Sequence, residues 1–222
     1  MEKIFDSDKI LVFFNACGHF DAISKIKDIA SKEGVKHIVS LGNCFAYHEK
    51  INECIELTKE FVLLKGFFEA GLGSFEDTFF SSKVRKIVFD KIKSTLNKKN
   101  KLFLSELPES FEIFIFFFNS ASGVTKTGRL NFCVPTYISK TPFIFESGVE
   151  IEVPLNKPFE IRNNFGKLIF PGHLFNSLNP NGIGYYCLVS SETFTFNKLE
   201  YPVENSTYYN YLKKKQPGLF IK

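Results

Sequence analysis

Residues 9–73 read KILVFFNACGHFDAISKIKDIASKEGVKHIVSLGNCFAYHEKINECIELTKEFVLLKGFFEAGLG, and their pattern predicts the fold class of the chain. Continuous apolar runs, typical of strands covered on both faces, alternate with helical patterns in the order 9–14, 21–33, 36–41, 52–59 and 61–65. Gly34 stands where the first helix should be capped. Three strands separated by two helices and short loops predict a parallel sheet with right-handed crossovers.

The rest of the chain changes from helix to strand. A helical pattern covers residues 83–97, and we expect the lysine-rich loop that follows to end it. Short β-type runs separated by Gly, Pro, Asn and Ser then lie at 113–118, 143–145, 149–153, 167–170, 185–189 and 193–196. Because no linker divides the halves, we predict one α/β domain of two packed sheets over residues 1–222, with a C-terminal tail from about residue 205.

Composition limits the class of protein. The 222 residues are 44% hydrophobic, which excludes a disordered chain, and the 28 Phe against no Trp are explained by codon bias. A net charge of +4 makes nucleic-acid binding an unexpected function, and the lysine clusters are interpreted as solvated helix faces. Five Cys without a C-x-x-C pair, no signal peptide and no membrane-spanning apolar run predict a reduced, cytoplasmic protein that does not enter a membrane.

Polar residues follow each of the three predicted strands. The first strand is followed by Asn15-Ala16-Cys17-Gly18-His19, the second by Gly42-Asn43-Cys44, and the third by Gly66-Phe67-Phe68-Glu69. Since the carboxyl ends of parallel strands meet at one edge of a sheet, we expect these three loops to form one surface.

These motifs resemble those of the calcineurin-like metallophosphoesterases, in particular the small bacterial and archaeal phosphodiesterases. That family's pattern is D-x-H-G-N after the first strand, G-D after the second and G-N-H-D after the third. The matching segments here are LVFFNACGHFDAI, HIVSLGNCFAYHEKINECIEL and VLLKGFFEAGLG, and weaker similarity continues through FLSELPES, FFNSAS and KLIFPGHLFNSLNPNGIGYYCLV. The resemblance implies a sandwich of two mixed β-sheets flanked by helices.

The family's metal ligands are all replaced at the matched positions. The resemblance puts Asn15 and Cys17 in place of the first Asp and His, Asn43 in place of the bridging Asp, and Phe67 and Phe68 in place of the Asn ligand and the catalytic His. It also implies a G-H-x-H segment near Phe145–Pro154, where no His occurs, and places His173 outside the metal cluster. Asn lacks the charge that holds two dications and Phe has no lone pair, so neither a binuclear site nor any cofactor is expected.

Three other chemistries remain open at this edge. Cys17, His19, Cys44 and His48 are residue types that suit tetrahedral zinc, although C-x-H is not a usual zinc spacing. Cys17 could act as a nucleophile at a helix N-terminus, beside His19. The backbone N–H groups of Gly18 and His19 could bind a phosphate or carboxylate.

The function expected from these residues is that of a catalytically inactive phosphoesterase-like protein. We predict a protein-binding or structural subunit, with either a protein partner or self-association, because Phe67 and Phe68 would fill the former catalytic cleft. The alternative is an enzyme or sensor of phosphorylated small molecules that works through an altered site.

Overall fold

The structure is a computed structural model. It describes residues 9–46, 48–74, 83–113, 116–119, 130–133, 143–144, 150–151, 157–163, 166–175, 182–190, 193–202, 210 and 214–215. The segment near Phe145–Pro154 and the predicted tail lie mostly outside these residues.

The first sheet contains the three predicted parallel strands. These are β1 (Lys9–Phe13), β2 (His37–Ser40) and β3 (Val62–Leu63), and Leu11 is level with Ile38 in the β1–β2 pair. Two later strands complete the sheet, β11 (Ile183–Ser190) and β12 (Thr193–Glu200). The strand order is β12-β11-β1-β2-β3, and β11 runs antiparallel to β1. The predicted parallel sheet is therefore confirmed, with an antiparallel hairpin on one side.

The helices of the first half connect these strands. Helix α1 (Phe20–Lys32) presents Ala22, Ile23 and Ile26 to the core, and α2 (Ile51–Leu57) crosses over from β2 to β3. Both lie within one or two residues of their predicted bounds. Gly34 has the positive φ of 65° that a residue ending a helix commonly adopts.

Two of the next three helices were not predicted. Helix α4 (Lys83–Thr95) was expected, but α3 (Phe67–Gly73) and α5 (Lys98–Ser105) were not. The expectation that a lysine-rich loop follows α4 is wrong, because Asn97 caps a new helix by accepting a hydrogen bond from the N–H of Asn100 at 2.8 Å.

Residues 110–170 contain seven further strands: β4 (Ser110–Ile113), β5 (Phe116–Asn119), β6 (Leu130–Cys133), β7 (Phe143–Ile144), β8 (Glu150–Ile151), β9 (Phe159–Asn163) and β10 (Gly166–Phe170). Five of them form a second sheet in the order β4-β5-β6-β10-β9, while β7 and β8 form a separate antiparallel pair. The run predicted as one strand at 113–118 is divided between β4 and β5, while β6 and β9, whose sequences mix polar and apolar residues, were not predicted.

The first sheet is covered on both faces. Leu11 and Phe13 face one core with the apolar sides of α1, α2 and α4. Ile10, Val12 and Phe14 face a second core, to which β10 of the other sheet contributes Ile169 and Phe170. This arrangement is the predicted sandwich of two mixed sheets with flanking helices. Within the described residues, no helix is both long enough and apolar enough to span a membrane.

Candidate functional site

The loops after β1, β2 and β3 meet at one edge of the first sheet, as predicted. The N–H groups of Asn15, Cys17 and Gly18 donate to the carbonyls of the second loop, those of Gly42, Asn43 and Cys44, at 3.1, 3.0 and 2.6 Å. The second and third loops approach so closely that a Cβ on Gly42 would lie 2.8 Å from Cα of Gly66. We call this surface the strand-end edge.

Three residues of this edge have a left-handed backbone. The φ angles of Asn15, Cys17 and Asn43 are 61°, 52° and 52°. Asn adopts this conformation readily, because its short polar side chain bonds locally, whereas for Cys it costs about 1 kcal/mol. Such backbone strain persists where surrounding hydrogen bonds fix the chain, as those from the N–H groups of Cys17 and Gly18 do here.

Asn15 joins the end of β1 to a segment that comes much later in the chain. Its Nδ2 donates to the backbone carbonyl of Phe175 at 2.8 Å, and its Oδ1 accepts from Sγ of Cys17 at 3.3 Å. The same Nδ2 lies 3.4 Å from Nδ1 of His173. Because a carbonyl can only accept, the contact with Phe175 requires nitrogen rather than oxygen at this position.

His173 lies at the strand-end edge beside Asn15, which corrects the expectation that it lies away from the matched metal-ligand positions. The segment that reaches this edge is 171–175, where the N–H groups of Leu174 and Phe175 donate to the carbonyls of Phe14 and Asn15 at 2.7 and 3.0 Å.

The imidazole of His173 is held neutral in an apolar environment. It is 5% exposed, and its ring meets Phe14 and Phe170 edge-on at centroid distances of 5.3 and 5.8 Å. Burial lowers the pKa of His173 to about 4. Since Asn15 Nδ2 donates to Phe175, its contact with Nδ1 of His173 favours the tautomer with the proton on Nε2.

Glu69 lies in the first turn of α3 and is fully buried. Its carboxylate accepts hydrogen bonds from the backbone N–H groups of Asn43, Phe45 and Gly66 at 2.8, 2.9 and 2.9 Å. Burial raises the pKa of Glu69, while these backbone donors act in the opposite direction. The acid therefore ties the second loop to the start of α3.

Asn43 is also used within the edge. Its Oδ1 accepts from the backbone N–H of Phe68 at 3.3 Å. A Cβ on Gly66 would lie 2.6 Å from this oxygen and 2.8 Å from Oε2 of Glu69, so both acceptors crowd the same backbone. Only glycine fits between them at position 66.

Phe67 and Phe68 have different surroundings, which corrects the expectation that both fill the cleft. Phe68 is partly buried and packs against Phe89 of α4, with ring centroids 6.2 Å apart. Phe67, the first residue of α3, is 53% exposed. The edge therefore combines closely packed polar groups with an exposed aromatic ring.

His19 and His48 come together, but as part of an aromatic cluster. Their ring centroids are 5.3 Å apart, and both rings contact Phe175, at 5.1 and 5.2 Å. Nδ1 of His19 accepts from the N–H of Ala22 and so caps α1. Each imidazole thus has a packing role in this cluster.

The four candidate zinc ligands do not form a metal site among the described residues. Among the described residues, which include Cys17, His19, Cys44 and His48, no three or more His, Cys, Asp or Glu side chains are arranged to hold a metal ion. Burial, together with the nearby Glu69 carboxyl, raises the pKa of the Cys44 thiol well above its ordinary value.

Cys17, the candidate nucleophile, is buried. The side chain is 3% exposed and its thiol donates to Asn15 Oδ1, while the His19 ring is directed to the helix cap. The anion hypothesis depends on the N–H groups of Gly18 and His19, and these donate to the carbonyls of Cys44 and Ala16 at 2.6 and 2.9 Å.

Comparison with known proteins identifies similar folds. No protein-family model matches the chain, and no curated protein matches it in sequence. Among solved structures, a metallophosphoesterase from Sphaerobacter thermophilus matches with a TM-score of 0.66 at 14% identity, over 96% of this chain and 97% of that one. A hypothetical protein from Pyrococcus horikoshii OT3 matches with a TM-score of 0.67 at 13% identity, over 96% of each chain. Over nearly its whole length, the chain has the fold of the metallophosphoesterases.

Proposed function

We propose that this chain uses the phosphoesterase fold without phosphoester hydrolysis and serves as a protein-binding or structural subunit. The observation that carries the proposal is the hydrogen bond from Asn15 Nδ2 to the Phe175 carbonyl, at 2.8 Å. An Asp at position 15 would direct a carboxylate oxygen toward that carbonyl oxygen. The local backbone is therefore suited to an amide, and the position contributes to packing rather than to metal binding.

The other polar groups of the strand-end edge support the same conclusion. The Glu69 carboxylate is surrounded by three backbone donors, and Asn43 Oδ1 accepts from the Phe68 N–H. Their hydrogen bonds serve the loops themselves. A hydrolytic site instead needs polar groups that converge on a substrate and a metal or base that activates water.

Hydrolysis of bis(p-nitrophenyl) phosphate with added Mn²⁺ tests the inactive state. We expect the purified full chain to release p-nitrophenol no faster than buffer with the same Mn²⁺ concentration. Asn43→Ala is the control variant, since contaminating phosphatase would give the same rate with either protein. Turnover that Asn43→Ala abolishes would contradict the proposal.

Protein binding is proposed to involve Phe67, because an exposed aromatic ring at a closely packed edge suits a protein contact. The test is isolation of the tagged full chain from its own cells, followed by identification of stoichiometric partners. We expect Phe67→Glu to lose the partner and Leu102→Glu to retain it, since Leu102, at 60% exposure, is equally accessible but lies on α5. Equal retention by both variants would contradict a role for Phe67.

A sensor of phosphorylated molecules at Gly18 and His19 is the competing function. The internal hydrogen bonds of both N–H groups give it less support than the protein-binding proposal. A melting temperature that rises with millimolar inorganic phosphate or nucleotide would favour it.

A further inference from the structure

The β12 strand forms one edge of the first sheet. It has eight residues, TFTFNKLE, and pairs with β11 along its whole length without a bulge or a proline, from Ser190–Thr193 to Ile183–Glu200. Long, regular edge strands are templates for pairing with another chain, and proteins usually interrupt them with bulges, prolines or several charges. β12 has a single Lys, Lys198, before its terminal Glu200.

The pairing with β11 determines which residues face outward. The N–H of Tyr201 donates to the carbonyl of Gly182 at 2.8 Å, so this pair is hydrogen-bonded. Because hydrogen-bonded and non-hydrogen-bonded pairs alternate in an antiparallel ladder, Asn197 and Thr195 also bond to β11. Phe196 and Lys198 then direct their backbone N–H and C=O groups away from the sheet. In the described part of the chain, no other strand lies beside β12.

We propose that this edge pairs antiparallel with β12 of a second copy, so that the two first sheets become one continuous sheet across a two-fold axis. This proposal adds a dimer interface to the proposed function, and it holds whether or not the chain hydrolyses phosphoesters. Outward-facing residues must pair with outward-facing residues, and the register centred on Phe196 satisfies this for both copies. It aligns Lys198 with Phe194 of the second copy.

The side chains agree with this register. On one face, Phe196 lies opposite Phe196 of the second copy, and Lys198 lies opposite an aromatic ring, which are favourable cross-strand pairs. On the other face, Thr195 lies opposite Asn197 of the second copy, a pair of uncharged polar residues. Among the pairs formed within residues 193–199, no like charges are directly opposed. Phe194 and Phe196 are only partly buried within one copy, so pairing would remove further apolar surface from water.

A charge-swap pair of variants tests both the partner and the register. We expect the wild-type chain to sediment as a dimer at about 100 μM, a concentration suited to a small strand-edge interface. Thr195→Lys with Asn197→Lys opposes Lys to Lys twice, and should raise the dimer dissociation constant at least about tenfold. Thr195→Glu with Asn197→Lys opposes Glu to Lys twice at the same positions, and should keep the dimer.

A backbone variant tests the edge itself. Lys198→Pro removes the outward N–H and leaves the β11 ladder intact, so it should give a folded monomer, while Lys198→Ala should remain dimeric. Circular dichroism and melting temperature check that both variants fold. A monomeric wild-type chain, equal dissociation constants for the two charge variants, or a Lys198→Pro protein that dimerises like wild type would each overturn the proposal.

Discussion

Glu69 and Asn15 are both buried at the strand-end edge, but only Glu69 carries a carboxyl group. Three backbone N–H groups surround Glu69, whereas Asn15 faces the carbonyl of Phe175 and the ring of His173. A carboxyl group is found where the backbone presents donors, and an amide occupies the position where the backbone presents an acceptor. The residue type at each position thus follows the hydrogen-bonding groups of the local backbone.

The largest expected effect comes from removing the carboxylate of Glu69. Glu69→Ala leaves three buried N–H groups without their acceptor, and we expect the free energy of unfolding to fall by about 4 kcal/mol. Urea denaturation followed by circular dichroism measures this change. Glu106→Ala, at an exposed position just after α5, is the control and should change stability by less than about 0.5 kcal/mol. Similar values for both variants would show that Glu69 does not hold the loops together.

His173 should make stability depend on pH. Its folded pKa of about 4 lies below the ordinary value of 6.5, so the unfolded chain binds a proton in this range that the folded chain does not. Stability should therefore fall as pH drops from about 6.5 to about 4, by about 3 kcal/mol from this group. Denaturation of wild type and His173→Gln at several pH values isolates the contribution. A difference between the two proteins that is constant from pH 7 to pH 4 would contradict the buried neutral imidazole.

Asn15→Asp exchanges the amide for a carboxylate and directly tests the role of the Phe175 carbonyl. We expect a loss of about 2 kcal/mol at pH 7, because a carboxylate oxygen replaces the donor to Phe175. Asn197→Asp is a matched control: its Nδ2 also donates to a backbone carbonyl, that of Thr195 at 3.1 Å, but on an exposed strand where water can substitute. Equal stability of the Asn15 variant and wild type would show that the acid is tolerated and that the amide is not required at this position.

The contrast between Glu69 and Asn15 shows how much of the site the sequence alone could predict. Continuous apolar runs and helical spacing located β1 to β3 and α1, and the topology of parallel strands then brought their loops together. The partner of Asn15 was beyond this reasoning, because His173 is 158 residues away and its contact depends on how 171–175 packs across the sheet.

Tertiary contacts also explain why some helices were not predicted from the sequence. Helix α5 begins with Lys98-Lys99-Asn100-Lys101, a run that is typical of a loop. It becomes helical because Asn97 caps it and Leu104 is buried in the core. The exposure of Phe67 could not be predicted either, since it follows from α3 starting at that residue.

The smallest effect is expected at Phe67, and it extends the comparison to the third strand end. Phe67→Ala should change the free energy of unfolding by less than about 0.5 kcal/mol, because more than half of the side chain is already in water. Phe68→Ala should cost about 2 kcal/mol, since this ring packs against Phe89 in the core. Denaturant titration of the two variants compares neighbouring residues of identical chemistry. A larger loss for Phe67 would mean that its ring is buried in solution, and that the exposed aromatic surface proposed for a protein partner does not exist.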